Sequence, residues 1–344
     1  MNLKKLSSLL GLSQTTVSRA LNGYPEVSEA TRQRVAEFAR EMNYQPNRSA
    51  QRLATGKSLT IGHVVPVADH DMMNPHFIDF IAGAGEIYHR RGYDMLISVV
   101  SEDEQNRFYE SLHRNKRVDG VIVHGPTVDD ERVRLLNALG LPFVVHGRTK
   151  DPEESYSWVD VNNEEVFEKA AEYLLSLGHR RIGLINGWEF MTFAERRRAG
   201  YERALRKNGI KPVPELMYSN EMIEPNGHAA MLALLDLRDT PTAVLCSSVL
   251  TAMGAIRALR DRGLRPGDDV SMIGFDDCLS FLPSTGDGGL LTAYRSGIRL
   301  AGRQCADMLI DQIEGGGDNA SLLLNAELSV GKSTRPLECA TAAL

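Results

Sequence analysis

Leu6-Ser-Ser-Leu-Leu10, Gly11-Leu12 and Ser13-Gln-Thr-Thr-Val-Ser-Arg19-Ala-Leu-Asn22 spell a short helix, a glycine turn and a second helix. Ser13 stands where an N-cap belongs, so its hydroxyl can take a free amide at the start of a helix running through Asn22. Val17, Ala20 and Leu21 are spaced to pack inward against Leu6, Leu9 and Leu10. That leaves Gln14 and Thr15 in the first turn and Arg19 on the outer face, with Thr16, Ser18 and Asn22 completing the set of candidate DNA contacts. In a helix-turn-helix, the second helix enters the major groove N-terminus first. There Gln bonds adenine through two atoms and the Thr methyl meets thymine. Taken alone, the pattern also fits a plain amphipathic helical hairpin.

Charge argues against the plainer reading. Residues 1–57 carry nine Lys plus Arg and four Asp plus Glu, a balance of +5, whereas the remainder carries 30 and 41, or −11. Segregated basic charge suits a module that neutralises phosphates while the rest of the molecule stays acidic. A third helix is expected from near Ser28 to Asn43, followed by Tyr44-Gln-Pro-Asn-Arg-Ser-Ala-Gln-Arg-Leu-Ala-Thr-Gly56. Pro46 halts what precedes it, and Asn47 can cap a short helix carrying Arg48, Ala50 and Leu53. Such a helix is too brief to be stable alone in water and is expected to fold on DNA. Ala50 admits a partner helix closely, and Leu53 is an apolar wedge of the kind that opens a base step in the minor groove. A simple linker is the other reading.

These residues resemble the lactose/galactose repressor (LacI/GalR) family. The resemblance rests on the run from Leu12 to Asn22, on Val27-Ser28 with Thr31-Arg32, and on Tyr44-Gln-Pro-Asn-Arg48. It continues through Asn74-Pro75, Gly178-His-Arg-Arg-Ile182, Arg197-Arg-Ala-Gly-Tyr201 and Ile273-Gly-Phe-Asp-Asp277. It implies an N-terminal all-α helix-turn-helix headpiece with a hinge helix, then an α/β core of two Rossmann-like, periplasmic-binding-protein-like lobes. Gln14, Thr15 and Arg19 then match recognition-helix positions, and Leu53 matches the hinge wedge. The words Leu12-Ser-Gln-Thr-Thr15, Phe80-Ile-Ala-Gly-Ala-Gly-Glu86 and Ala301-Gly-Arg-Gln304 look most like the α-glucoside utilisation repressors.

Composition agrees independently. At 344 residues and 42% hydrophobic content the chain can fill two to three cores. Cys246, Cys278, Cys305 and Cys339 lack CxxC spacing, so neither a zinc site nor a disulfide framework is expected. No cofactor or metal is implied, no apolar run approaches a membrane span, and Lys4-Lys5 with Leu6-Ser-Ser-Leu-Leu10 is too short and polar for a signal peptide. A cytoplasmic protein is expected.

From Ser58 onward β-like runs alternate with helical stretches, the mark of parallel sheets covered on both faces. Expected strands are 60–66, 93–100, 120–124, 143–146, 182–186, 243–247 and 270–275; expected helices are 77–91, 164–177, 195–207, 226–235 and 250–263. The break near 158–163 suggests two lobes, and the resemblance implies that the chain crosses between them three times, with one crossing near 290–293. The expected division is a headpiece at 1–45, a hinge at 46–58 and a core at 59–340. Within the core, one lobe takes 59–160 and 292–322, the other 161–291 and 323–340.

Ligands of such sheets bind beyond the carboxyl ends of the strands, here the cleft between lobes. Asp276 follows the expected strand 270–275, Arg197 lies near a helix start, and His124 ends 120–124. A carboxylate and a guanidinium fork can grip neighbouring sugar hydroxyls, and all three match family effector positions. On the other side Asp69, Asn74 and Phe77 surround the loop after the first strand, where Phe77 can stack on a sugar face. Each also has an ordinary role open to it, in a cap, an ion pair or water, and capping is the ordinary role for Asn74. Trp158 and Trp188 are read as core or rim packing. Ser247-Ser248-Val249 departs from the family's usual Asn-Asp; Ser248 can still bond a hydroxyl. With the long loop 67–73, this points to a larger effector than a simple monosaccharide.

No GxSxG, Walker loop, GxGxxG or HExxH occurs, so an enzyme is not expected. A sugar-transport protein shares the two-lobed fold but would carry a secretory segment in place of the basic headpiece. The expected activity is that of a homodimeric operator-binding repressor released by a small sugar; a ligand-activated co-repressor or activator of the same fold is the alternative.

Overall fold

The computed structural model describes residues 1–21, 23–44, 56–66, 75–150, 155–276, 278–279, 289–315 and 318–337. The chain forms two compact units, Met1–Leu59 and Thr60–Leu344. The expected DNA contacts Asn22, Asn47, Arg48, Ala50 and Leu53 lie outside the described residues, as does most of the expected hinge.

In the first unit α1 (Leu3–Leu10), α2 (Gln14–Leu21) and α3 (Glu29–Glu41) each begin at a polar cap. Asn2 Oδ1 accepts from the Lys5 amide at 2.9 Å, Ser13 Oγ from Thr16 at 3.0 Å and Ser28 Oγ from Thr31 at 3.4 Å. Gly11, at φ +66°, ends α1 in the left-handed conformation that a Cβ would penalise. Leu6, Leu10, Val17, Ala20, Val27, Val35 and Ala39 form the core, edged by Leu3, Leu12, Leu21, Phe38 and Tyr44. Leu9 corrects the sequence reading, since it is 53% exposed. The inward stripe runs through Leu6 and Leu10, and the residue before Leu10 is turned about 100° away from it.

The second unit holds two six-stranded sheets. β1 (Thr60–Pro66), β2 (Asp94–Val100), β3 (Gly120–His124), β4 (Phe143–His146), β5 (Ser157–Val161) and β11 (Ser321–Leu324) form one, in the order β11-β5-β4-β3-β1-β2. β6 (Ile182–Asn186), β7 (Met217–Ser219), β8 (Ala243–Cys246), β9 (Ser271–Asp276), β10 (Thr292–Arg295) and β12 (Glu327–Ser329) form the other, in the order β12-β10-β9-β8-β6-β7. Every pairing is parallel except β10 with β12. The first six residues of β1 and the first four of β3 are buried, as continuous apolar runs require when helices cover both faces.

The chain passes between sheets after β5, after β10 and after β11. The crossing expected near 290–293 falls instead after Arg295, because Thr292–Arg295 pairs in register with β9, Thr292 opposite Ile273 and Arg295 opposite Asp276. β11 likewise carries the first sheet on to Leu324, past the expected 322. The sequence reading also missed the Gln105–Arg114, Arg132–Leu139 and Ile298–Ile313 helices and strands β5, β7, β10, β11 and β12. The Pro75–Arg91 and Ile298–Ile313 helices cross glycine on glycine: a Cβ on Gly83 would overlap the Arg299 carbonyl, and one on Gly302 the Phe80 carbonyl. Beside that crossing Glu86 accepts from Arg299 Nε at 2.8 Å and Arg303 Nε at 2.7 Å.

Candidate functional site

On α2, Gln14, Thr15 and Arg19 are exposed while Val17 and Ala20 anchor the helix from below. Thr16 and Ser18 are half-buried, and the Thr16 hydroxyl lies 2.8 Å from Ser13 Oγ. The outward face therefore offers an amide, a hydroxyl with a methyl, and a guanidinium, the groups that read base edges and phosphates.

In the second unit the carboxyl ends of β3, β4, β5 and β9 converge on a cavity of about 230 Å³. Phe77, Phe80, Phe193 and Phe275 supply apolar faces; His124, His146, Asp160, Asn163 and Arg197 supply polar groups. One rim is tied across the lobes, with Thr192 N and Oγ1 each donating to the Pro126 carbonyl at 3.0 Å and Val128 N donating to the Phe190 carbonyl at 2.9 Å.

Arg197, on the Thr192–Lys207 helix, is only 6% exposed. Its Nε donates to Asn163 Oδ1 at 2.8 Å and its Nη1 to the Ser247 carbonyl. The guanidinium carbon lies 4.3 Å from the Phe275 ring centre, 5.0 Å from Phe193 and 5.2 Å from Phe167. Ring faces and fixed acceptors together make burial of this cation tolerable. Asn163 Nδ2 donates in turn to Asp160 Oδ1 at 3.3 Å, and Asp160 Oδ2 pairs with Arg148 at 2.8 Å and Arg196 at 3.5 Å. A continuous polar chain thus runs along the cavity wall from one lobe to the other.

The facing wall is built on histidine. His63 Nδ1 lies 2.9 Å from His124 Nε2, and His63 Nε2 lies 3.0 Å from the Tyr88 hydroxyl. Phe77 and Phe80 set their edges against the His124 ring at 5.3 and 4.8 Å. Burial holds His63 down to about 3. His124 is held well below the ordinary imidazole value by burial first and then by nearby His63, His146 and Arg132. Both rings are therefore neutral at physiological pH.

Of the expected effector residues, Phe77, His124 and Arg197 meet at this cavity. Asp69, Asn74 and the Asp276 side chain lie outside the described residues; the Asp276 backbone closes β9. Ser248 is a correction. It is fully buried, its hydroxyl accepts from Thr251 N at 3.1 Å and its own amide donates to Thr251 Oγ1 at 3.2 Å, a reciprocal cap on the Val249–Asp261 helix. Among residues not anticipated, His146 ends a strand that was anticipated, so the strand-end rule alone reaches it. Asp160 and Asn163 follow from that rule only once β5 is recognised. Trp158 packs at the edge of the first lobe's core, and Trp188 stacks on Phe190 with centroids 5.5 Å apart.

A helix-turn-helix unit and a ligand cleft on one chain define a DNA-binding regulator rather than an enzyme. Residues 3–47 match the lacI family of bacterial regulatory proteins, and residues 171–334 match a periplasmic binding protein-like domain. The HTH-type transcriptional regulator AglR of Rhizobium meliloti (strain 1021) is 44% identical over 336 residues, covering 97% of this chain and 94% of the relative. The repressor CytR of Escherichia coli (strain K12) is 33% identical over 95% of this chain and 94% of its own. The chain belongs to the LacI family of transcriptional regulators. Its fold is similar to that of the Lac repressor dimer bound to operator and the anti-inducer ONPF, with TM-score 0.78, 27% identity and coverage of 97% and 99%. It is similar also to the CelR–cellobiose complex, with TM-score 0.72, 30% identity and coverage of 97% and 99%. Among the described residues no helix is long and apolar enough to cross a membrane, and no group of three or more His, Cys, Asp or Glu is placed to hold a metal ion.

Proposed function

We propose that this protein is a cytoplasmic, homodimeric repressor of sugar-utilisation genes, released from a pseudo-palindromic operator when a small sugar enters the cleft. The observation that carries the reading is the pairing of bare base-reading groups on α2 with a cavity that sets aromatic faces beside buried polar groups. Aromatic faces suit the apolar side of a sugar ring, and converging donors and acceptors suit its hydroxyls. Likeness over nearly the whole chain to a CelR structure bound to cellobiose supports a saccharide effector. The resemblance to α-glucoside utilisation repressors makes an α-glucoside the specific choice.

In this reading the headpiece is residues 1–45 and the hinge 46–58. Gln14, Thr15, Thr16, Ser18, Arg19 and Asn22 meet the major groove, while Asn47, Arg48, Ala50 and Leu53 meet the backbone and minor groove. Phe77, His124 and Arg197 hold the sugar together with Asp69, Asn74 and Asp276. Sugar and operator each favour a different state of the protein, so each weakens the other by the same factor.

The test is anisotropy of labelled DNA from beside the protein's own gene, with and without maltose, sucrose and trehalose. Salt-sensitive binding relieved by one of the three is expected. Binding indifferent to all three would discard the α-glucoside, and absence of specific binding would overturn the repressor reading.

A further inference from the structure

We infer that the buried chain from Tyr88 through His63 to His124 fixes His124 as a hydrogen-bond donor toward the cleft, so that the site selects an acceptor oxygen of the sugar at that point. The inference rests on the reading of the cleft as the effector pocket. Its geometry spans three elements: Tyr88 lies on the Pro75–Arg91 helix, His63 on β1 and His124 at the end of β3.

Tyr88 is 2% exposed, and among the described residues its hydroxyl has one hydrogen-bond partner, His63 Nε2 at 3.0 Å. Were His63 to donate there, the phenol proton would be buried without an acceptor, which costs the full desolvation of that group. Tyr88 therefore donates, His63 accepts at Nε2, and a neutral imidazole that accepts on one nitrogen carries its proton on the other. His63 Nδ1 then donates to His124 Nε2 across 2.9 Å. By the same rule His124 is protonated on Nδ1, the ring nitrogen that its bond to His63 leaves over on a side chain lining the cavity. Burial keeps both rings neutral, with His63 held down to about 3, so neither ring becomes a two-sided donor at neutral pH.

A hydroxyl can donate or accept and fits such a nitrogen either way. A ring or glycosidic oxygen only accepts, and fits only this tautomer; an ammonium at the same place is refused. Tyr88 and His63 are thus positioning residues that act through His124 without touching the sugar.

The test is nitrogen-15 NMR of histidine-labelled full-length protein, with the His124 signals assigned by His124→Gln, run alongside maltose titration. In the wild type His124 should be protonated on Nδ1 and bare on Nε2. Tyr88→Phe and His63→Leu should divide His124 between its two tautomers and weaken maltose binding by about fivefold, the worth of one neutral hydrogen bond. His63→Gln should restore both readouts, because its amide oxygen accepts from Tyr88 while its NH2 donates to His124. Protonation on Nε2 in the wild type overturns the inference, as do tautomers or maltose affinities unchanged across Tyr88→Phe and His63→Leu. Failure of the wild type to bind maltose would count against the α-glucoside reading alone, since the nitrogen shifts still decide the polarity.

Discussion

The helix-turn-helix unit and the cleft hold their recognition groups in opposite states. Gln14, Thr15 and Arg19 stand exposed on a helix whose inward face is a narrow apolar stripe. Arg197, Asp160 and His124 are already bonded within the core. The first arrangement leaves side chains to be ordered by phosphates and bases when DNA arrives. The second is preorganised, so little conformational entropy remains to be lost when ligand binds. Substitutions of Gln14, Thr15 or Arg19 should therefore alter recognition alone, whereas substitutions around the cleft should alter recognition and stability together.

The largest expected break is in the headpiece core. Leu6→Ala removes a fully buried side chain from a small unit and should cost about 2–5 kcal/mol, enough to abolish operator binding. Calorimetry should still find full sugar affinity in that variant, and loss of both activities would show that the two units do not stand independently.

Arg197→Ala comes next. It takes the central cation from the Asn163 and Ser247 contacts and should abolish release by sugar while operator affinity in anisotropy stays within about twofold, close to the noise of additive effects at distant sites. Normal release would place the pocket elsewhere.

Acid is expected to act on the buried histidines behind the cleft. His63 takes a proton near its ordinary value when unfolded but resists to about 3 when folded, so its stabilising effect is complete above about pH 6.5 and fades as pH falls toward 3. At pH 5 the loss should be about 2 kcal/mol for His63, with His124 acting in the same direction. Urea midpoints at pH 7.5 and 5 would measure it; His63→Gln should lessen the dependence by the His63 share, and a dependence unchanged by that substitution would contradict neutral burial.

The smallest effect separates a cap from a ligand contact. Ser248→Ala should lower stability by about 1 kcal/mol and leave sugar affinity unaltered, as read by thermal unfolding and calorimetry. Weakened sugar binding at unchanged stability would reverse the assignment.

The two regions also differed in how far they could be read. The headpiece was legible because its signals are local: Ser13 and Ser28 cap, Gly11 turns, and Val17 and Ala20 repeat at helical spacing. Only Leu9 misled, since three leucines in five residues do not reveal which of them the partner helices cover.

In the core, pattern located most of the longer strands, and Arg197 and His124 followed from their placement together with the family resemblance. Asp160 was hidden because β5 was read as a break between lobes, and β10 because its partners lie far off in sequence. Ser248 was assigned by family position although Ser248-Val-Leu-Thr251 has the spacing of a reciprocal cap. The words Phe80-Ile-Ala-Gly-Ala-Gly-Glu86 and Ala301-Gly-Arg-Gln304 suggested the class of sugar. In the fold they serve packing: Gly83 and Gly302 let two helices touch, and Glu86 bonds Arg303.

The central claim is that cleft and operator are linked. Calorimetric titration of the releasing sugar into the full-length protein, with and without saturating operator DNA, tests it most directly. Sugar affinity should fall in the presence of operator by the same factor as operator affinity falls in the presence of sugar. Identical sugar affinities in the two titrations would contradict the linkage.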